Sequence, residues 1–344
     1  MFSESGVSMQ LAAQIEKKSE SGLDGGIQKI QKLSAEIEKI IVGQKSLICR
    51  IVVALLADGH VLLEGVPGLA KTLLVSALGA AMGGVFQRIQ MVPDMLPSDL
   101  IGTYLYVGNR FKLQKGPLSD CHVALVDEIN RAPAKTQAAL LQAMQERQVT
   151  VMGKDTLELQ DPFIVLATQN PVEQDGTYPL PEAQLDRFLF KVVVEYPSPE
   201  DEIDILTNVH LDQRDKVRAV QQVVEPHDIC KLRESIKREV SVEHYAHQYI
   251  VDLVRATRFP GEFGLKSLEG CLKLGASPRA TIALRDAARV EAFLHKRQHV
   301  YPEDIQAVAR DVFRHRIFLE FTAQAEGLTV EAVIQEILDG VPIP

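Results

Sequence analysis

The chain has 344 residues, 46 % apolar and 24 % charged, the balance of a folded globular protein with room for two domains of roughly 100–200 residues. Its 46 acidic against 37 basic side chains leave a net charge of −9 and no basic run, which argues against a protein dedicated to nucleic acid, whose surface must displace counterions from phosphates. No stretch approaches the ~18 apolar residues of a membrane span, the N-terminus lacks the basic start and apolar centre of an export signal, and four scattered cysteines form no C-x-x-C pair, so a cytoplasmic chain without a disulfide framework or zinc site is expected.

Residues 1–26 are rich in Ser, Gly, Glu and Lys and read as a flexible N-terminal tail. From Ile27, the residues Ile27, Ile30, Leu33, Ile37 and Ile40 recur at three- and four-residue steps, one face of a helix that Gly43 stops. An alternation follows. "HVLLEG" reads as a buried strand, "KTLLVSALGAAMGG" as a helix, "FQRIQM" and "CHVALVDE" as strands, "AKTQAALLQAMQE" as a helix, and "PFIVLATQNP" and "RFLFKVVVEYP" as strands. Strands of near-continuous Val, Ile and Leu between helices imply a parallel sheet covered on both faces. The core is assigned to 27–225, and 226–344 reads as a smaller all-helical domain with one long helix across "PEDIQAVARDVFRHRIFLEF". Within the core, "QVTVMGKDTLELQ" alternates like a hairpin, and residues 91–118 form a second insertion. Periodicity alone supports ordinary surface hairpins for both nearly as well as loops with a role of their own.

The turn after the first strand, "EGVPGLAKT" (Glu64 to Thr72), fits the phosphate-loop pattern G-x-x-x-x-G-K-[ST] except that Ala70 replaces the second glycine. In such a loop the backbone wraps phosphates at a helix N-terminus, where the dipole favours negative charge. Lys71 would reach the β- and γ-phosphates and the Thr72 hydroxyl would ligate Mg²⁺. An alanine at position 70 must adopt either φ < 0 or a left-handed backbone costing ~1–2 kcal/mol. Downstream, "VALVDEIN" ends a strand in Asp127 and Glu128, suited to holding Mg²⁺ and polarising an attacking water respectively. "IVLATQN" ends in Asn170, whose amide can bridge a γ-phosphate and that water, although an Asn before Pro is also an ordinary turn residue.

These strand ends in this order resemble the AAA+ ATPases. Within them, "RIQMVPDMLPSDLIGT", "VDEINRAPAKTQAALLQAMQE", "LATQNPVEQDGTYPLPEAQLDRF" and "GASPRA" resemble the MoxR family, over about Gln44 to Arg289. The family's loop commonly reads G-x-P-G-x-A-K-T, so Ala70 is a family variant. The resemblance implies an AAA+ α/β core with a parallel sheet and a helical lid, and nucleotide contacts from Gly65 through Val66, Pro67, Gly68, Leu69, Ala70, Lys71 and Thr72 to Leu73. It also implies an adenine-lining stretch at Val42 and Gly43. In "LPEAQLDRF" it makes Arg187 an arginine finger for the neighbouring subunit, where the residues alone would favour a local pair with Asp186 or Glu182. In "GASPRA", Arg279 matches the second sensor arginine at the start of a lid helix with Ser277 as N-cap, serving either its own subunit or a neighbour. An extra helix is expected between core and lid, within "PEDEIDILTNVHLDQRDKVRAVQQVVEP". Arg131 reads as a surface arginine, or more weakly as a cross-subunit contact.

The activity implied is ATP hydrolysis with Mg²⁺ in a homo-hexameric ring that acts as a chaperone-like remodeller of a client, with a separate partner carrying a von Willebrand factor A domain. In such a ring the resemblance makes the two insertions loops that face a pore or a partner. The alternatives are a nucleotide-gated scaffold with negligible turnover, against which the intact site residues argue, and a nucleic-acid motor, against which the charge argues. A GTPase is disfavoured because no N-K-x-D motif is present.

Overall fold

The computed structural model describes residues 24–65, 70–170, 177–207 and 213–344. The tail expected over 1–26 lies outside these residues as far as 23, and its last three residues are already helical. Helix α1 covers 24–38, with Ile27, Ile30, Leu33 and Ile37 buried. Gly26 is there for packing, because a Cβ would stand 2.3 Å from Leu232 Cδ2.

The next elements follow the expected alternation: α2 (Lys45–Leu56), β1 (Val61–Glu64), α3 (Lys71–Ala81) and β2 (Phe86–Gln90). The first insertion contains α4 (Pro97–Ile101) and an antiparallel hairpin of β3 (Gly102–Val107) and β4 (Arg110–Lys115). After β5 (Val123–Asp127) and α5 (Ala134–Glu146) comes the expected hairpin, β6 (Gln148–Val151) with β7 (Asp155–Glu158). Then follow β8 (Ile164–Gln169), α6 (Glu182–Leu185), β9 (Phe190–Val193), α7 (Pro199–Thr207) and α8 (Gln213–Arg218).

The main sheet has the order β2-β5-β8-β1-β9, and every pairing is parallel. Successive side chains of a strand point to opposite faces, and the burial shows it. Val61, Leu63, Val123, Leu125, Ile164 and Leu166 join the core under α2, α3 and the C-terminal helices. Leu62, Ala124, Val126, Val165 and Ala167 instead pack with Leu140, Leu141 and Met144 of α5. The central strands β5, β8 and β1 are covered on both faces, which explains runs that are apolar without alternation.

The C-terminal region holds α9 (Pro226–Glu239), α10 (His244–Ala256), β10 (Leu272–Leu274), α11 (Pro278–Leu294), α12 (Pro302–Phe313), β11 (Phe318–Leu319), α13 (Phe321–Ala325) and α14 (Val330–Gly340). The single long helix read across 302–321 is therefore broken: α12 ends at Phe313, and β11 pairs with β10. The cause is tertiary, since no Gly or Pro stands there. Arg314, His315 and Arg316 turn their side chains onto main-chain carbonyls of Lys191, Phe188 and Leu189. Those bonds fasten the region to the start of β9. Arg50 of α2 adds a clip, pairing with Glu291 of α11 and, at 2.8 Å, with Asp311 of α12.

Candidate nucleotide site

In a parallel sheet the carboxyl ends of all strands share one edge, where ligands of α/β folds bind. Here β1 delivers Gly65, β5 delivers Asp127 and Glu128, and β8 delivers Asn170 to that edge. Glu64 stands opposite Gln169, and the Gly65 amide donates to the Gln169 carbonyl at 3.4 Å, so Asn170 follows directly beside the loop.

Val66, Pro67, Gly68 and Leu69 lie outside the described residues. The flanks of the loop are informative. Ala70 has φ 53° and ψ 19°, so the alanine takes the left-handed option with its cost of ~1–2 kcal/mol. Helix α3 starts at Lys71 with no side-chain cap and no acidic residue in its first turn, which leaves its N-terminal amides for an anion. The Lys71 ammonium donates to the Gly65 carbonyl at 2.6 Å. Burial pushes it below its ordinary pKa, opposed by the Asp127 and Glu64 carboxylates. Leu73 is buried in the core, so only its backbone is available to a ligand.

Asp127 is held from two sides. Arg88 Nε of β2 donates to its Oδ2 at 2.7 Å, and the Thr168 hydroxyl donates to its Oδ1 at 3.3 Å. Glu128 has a left-handed backbone, φ 57° and ψ 52°, and its amide donates to Thr168 Oγ1 at 2.9 Å. That bond uses an amide β5 no longer pairs and turns the carboxylate off the strand line. Its Oε2 accepts from Gln90 Nε2 and pairs with Arg131 Nε, both at 2.9 Å. Arg131, its side chain 40 % exposed, keeps the surface placement read from the sequence and pairs there with Glu128 of its own chain. Arg88, Gln90 and Thr168 fall inside phrases that resemble the family but were given no role of their own, and sequence reasoning missed them as site residues. The signal available was β2 and β5 being neighbours, which sets Gln90 opposite Asp127.

The fit to Mg²⁺ rests on the donor set. A hydroxyl at the helix start, Thr72, and a carboxylate at the adjoining strand end, Asp127, are hard oxygen ligands that leave most positions to water and phosphate, as Mg²⁺ requires. Val42 and Gly43 lie on the same edge. Gln44 Nε2 donates to the Glu195 carbonyl at 3.1 Å, and a Cβ on Gly43, at φ +74°, would stand 2.8 Å from Asp201 Cγ of α7. The carbonyl of Val194 is 2.8 Å from where a Gly65 Cβ would be. The stretch at 42–44 and the segment after β9 therefore flank the loop.

Arg187 is elsewhere. It precedes Phe190, and Phe190 pairs with Val61 at the amino end of β1, three residue steps or about 10 Å from Glu64 at ~3.3 Å per residue. It stands at the sheet edge opposite its own loop. The local pairs open to it are taken: Lys273 holds Glu182 at 3.2 Å, and Asp186 is shared by Arg316, Ser277 and Arg279. Arg187 Nε is buried with no hydrogen-bond partner among the described residues. Ser277 caps α11 through the Arg279 amide, and the Arg279 guanidinium lies 3.7 Å from Asp186 Oδ2, which sets it beside Arg187.

The ATPase family associated with various cellular activities matches residues 60–190, and an AAA lid domain matches 267–337. The chain is 44 % identical to Chaperone MoxR1 of Mycobacterium tuberculosis over 94 % of this chain and 84 % of the relative. It is 34 % identical to Protein MoxR of Methylorubrum extorquens over 91 % of this chain and 94 % of that one. The crystal structure of a candidate ATPase from Cytophaga hutchinsonii superimposes with a TM-score of 0.88 at 45 % identity, covering 95 % of this chain and 98 % of the other.

Proposed function

The chain belongs to the MoxR family of AAA+ ATPases, and on that premise we propose that it hydrolyses ATP at sites shared between neighbouring copies in a homo-hexameric ring. The observation that carries this reading is the division of the machinery between two sheet edges. Gly65, Lys71, Asp127, Glu128 and Asn170 occupy one, while Arg187 and Arg279 occupy the other. Closure of one chain on itself would not bring them together, whereas a head-to-tail interface joins unlike surfaces and generates a ring.

In this mechanism the loop amides and Lys71 bind the ATP phosphates. Thr72 and Asp127 would hold Mg²⁺, which supplies charge neutralisation on the phosphate oxygens. Glu128 takes up the proton of the attacking water after leaving Gln90 and Arg131, and Asn170 orients that water. Arg187, with Arg279 beside it, enters from the neighbour and offsets charge spreading over the γ-phosphate. Having both on one edge favours Arg279 serving the neighbour's nucleotide over its own.

The hairpins are the output surface of the cycle. β3–β4 and β6–β7 are tied by Tyr104 to Asp155, and Lys154 lies 5.7 Å from the Tyr104 and Phe111 ring centroids. Tyr106 and Phe111 are 64 % and 69 % exposed, an apolar display suited to gripping a protein client rather than a buried role. The relative named as a chaperone supports a remodelling activity, and we extend the proposal to a separate partner protein with a von Willebrand factor A domain and to a cytoplasmic setting. Among the described residues no helix is long and apolar enough to cross a membrane.

The engaged Glu128 and Asp127 also suit a nucleotide-gated scaffold that binds ATP without turnover. One experiment separates the two. Glu128→Gln chains lack the carboxylate but keep Arg187, and Arg187→Ala chains have the converse defect. In equimolar mixed rings about one interface in four joins an intact site to an intact arginine. ATP turnover well above either variant alone is expected. Mixtures as inactive as their components would sink the shared site.

A further inference from the structure

The finger edge contains a buried device that links Arg187 to the C-terminal helices. Arg316, 3 % exposed, engages Asp186 Oδ1 through Nε at 2.7 Å. Its Nη1 donates to the carbonyls of Leu189 at 3.1 Å and Val312 at 2.6 Å, and its Nη2 to those of Asp186 at 3.2 Å and Phe188 at 2.7 Å. All five donors of the guanidinium fork are used. His315 Nε2 adds a contact to the Phe188 carbonyl at 3.0 Å. The main-chain carbonyls on both sides of Arg187 are therefore held by residues that follow α12. The other Asp186 oxygen accepts from Ser277 Oγ at 2.7 Å and faces Arg279 at 3.7 Å, so the start of α11 hangs on the same carboxylate.

A finger needs this support. A guanidinium stabilises a transition state only when its position is fixed beforehand, and a misplacement of 1 Å costs ~10²-fold in rate. Residue 187 follows a helix of only four residues, which by itself gives little rigidity. From this geometry we infer that Asp186 and Arg316 are positioning residues for Arg187 and Arg279, joining the two arginines into one block that the C-terminal helices deliver to the neighbour's nucleotide as a unit. The inference rests on the shared-site reading above.

The test uses full-length chains carrying Asp186→Asn, which keeps the volume and an acceptor for Arg316 but removes the charge that holds Arg279. A second variant, Arg316→Lys, keeps the charge and removes the fork. The readouts are ATP affinity, ring mass, kcat and rescue in mixed rings with Glu128→Gln. For Asp186→Asn, kcat is expected to fall by about 10–100-fold, with ATP affinity and ring mass unchanged because its own loop lies on the other edge. Turnover should recover on mixing with Glu128→Gln, since the Asp186→Asn site then receives an intact neighbouring arginine. A merely structural loss would not be rescued in trans. Should Arg316→Lys fail to fold, Asp186→Asn alone decides. The inference is overturned if both folded variants keep wild-type kcat, or if Asp186→Asn loses activity without rescue while Arg187→Ala is rescued. If Arg187→Ala itself is not rescued, the shared site has failed and the positioning role falls with it.

Discussion

At the scale of residues, Ala70 stores strain where the phosphate loop meets α3. Its φ of 53° is one glycine adopts at no steric cost. Ala70→Gly should relieve that strain and lose part of the gain to a more flexible unfolded chain, for a net stabilisation of roughly 0.5–1 kcal/mol. Equilibrium denaturation with urea measures it, and a destabilised variant would mean that the alanine methyl makes contacts outweighing the strain. Gly65, Asp127, Glu128 and Asn170 were legible as candidates because each closes or follows an apolar strand, and Lys71 and Thr72 because they complete the phosphate-loop pattern at the start of α3. Arg88, Gln90, Thr168 and Arg131 were not legible as site residues. Their roles come from which strands are neighbours and from a left-handed turn at Glu128, and no local pattern encodes either.

At the scale of elements, the pattern of apolar residues identified the five strands of the sheet and most helices, since the central strands are apolar on both faces and most helices have one apolar stripe. It failed where tertiary bonds override local propensity. Nothing in "FRHRIFLEF" stops a helix, yet α12 ends at Phe313 because Arg314, His315 and Arg316 reach the carbonyls of Lys191, Phe188 and Leu189 around the start of β9. The first insertion hid its hairpin because β3 and β4 are largely solvated, so the alternation of Phe111 and Leu113 with Lys112 and Gln114 in β4 marks no buried face. The clip between α2 and the C-terminal helices belongs to this scale. Glu291 is 5 % exposed and would be left as an uncompensated buried carboxylate without Arg50. Breaking such a pair from one side costs about 3 kcal/mol. Arg50→Ala should therefore lower the urea midpoint with an unchanged m-value, whereas an unchanged midpoint would mean that Glu291 finds water or another donor.

At the scale of the whole molecule, two buried neutral histidines bear on its stability in acid, His60 within the α/β core and His315 between the C-terminal region and the start of β9. His60 accepts the Val165 amide on Nδ1 at 3.0 Å and meets the Met144 carbonyl through Nε2 at 3.1 Å, which fixes the neutral tautomer. Burial pushes its pKa down to about 3, and burial likewise holds His315 well below its ordinary value. Both groups bind a proton more readily unfolded than folded. Their contribution is fully present above the unfolded pKa of ~6.5 and is lost as pH falls from there towards about 3. The thermal midpoint should decline across that window, and a midpoint flat from pH 7 to pH 4 would contradict the buried neutral assignment. The proposed mechanism has a larger consequence, because the groups it assigns to catalysis lie on two edges of one copy and would meet only between neighbouring copies. The most direct measurement is ATP turnover per chain against protein concentration, for the wild type and for Arg187→Ala. A shared site requires specific activity to climb with concentration in the wild type and to collapse in the variant while ATP still binds. Turnover that is independent of concentration and unaffected by the loss of Arg187 would mean that each chain is catalytically complete, contrary to a shared ring site.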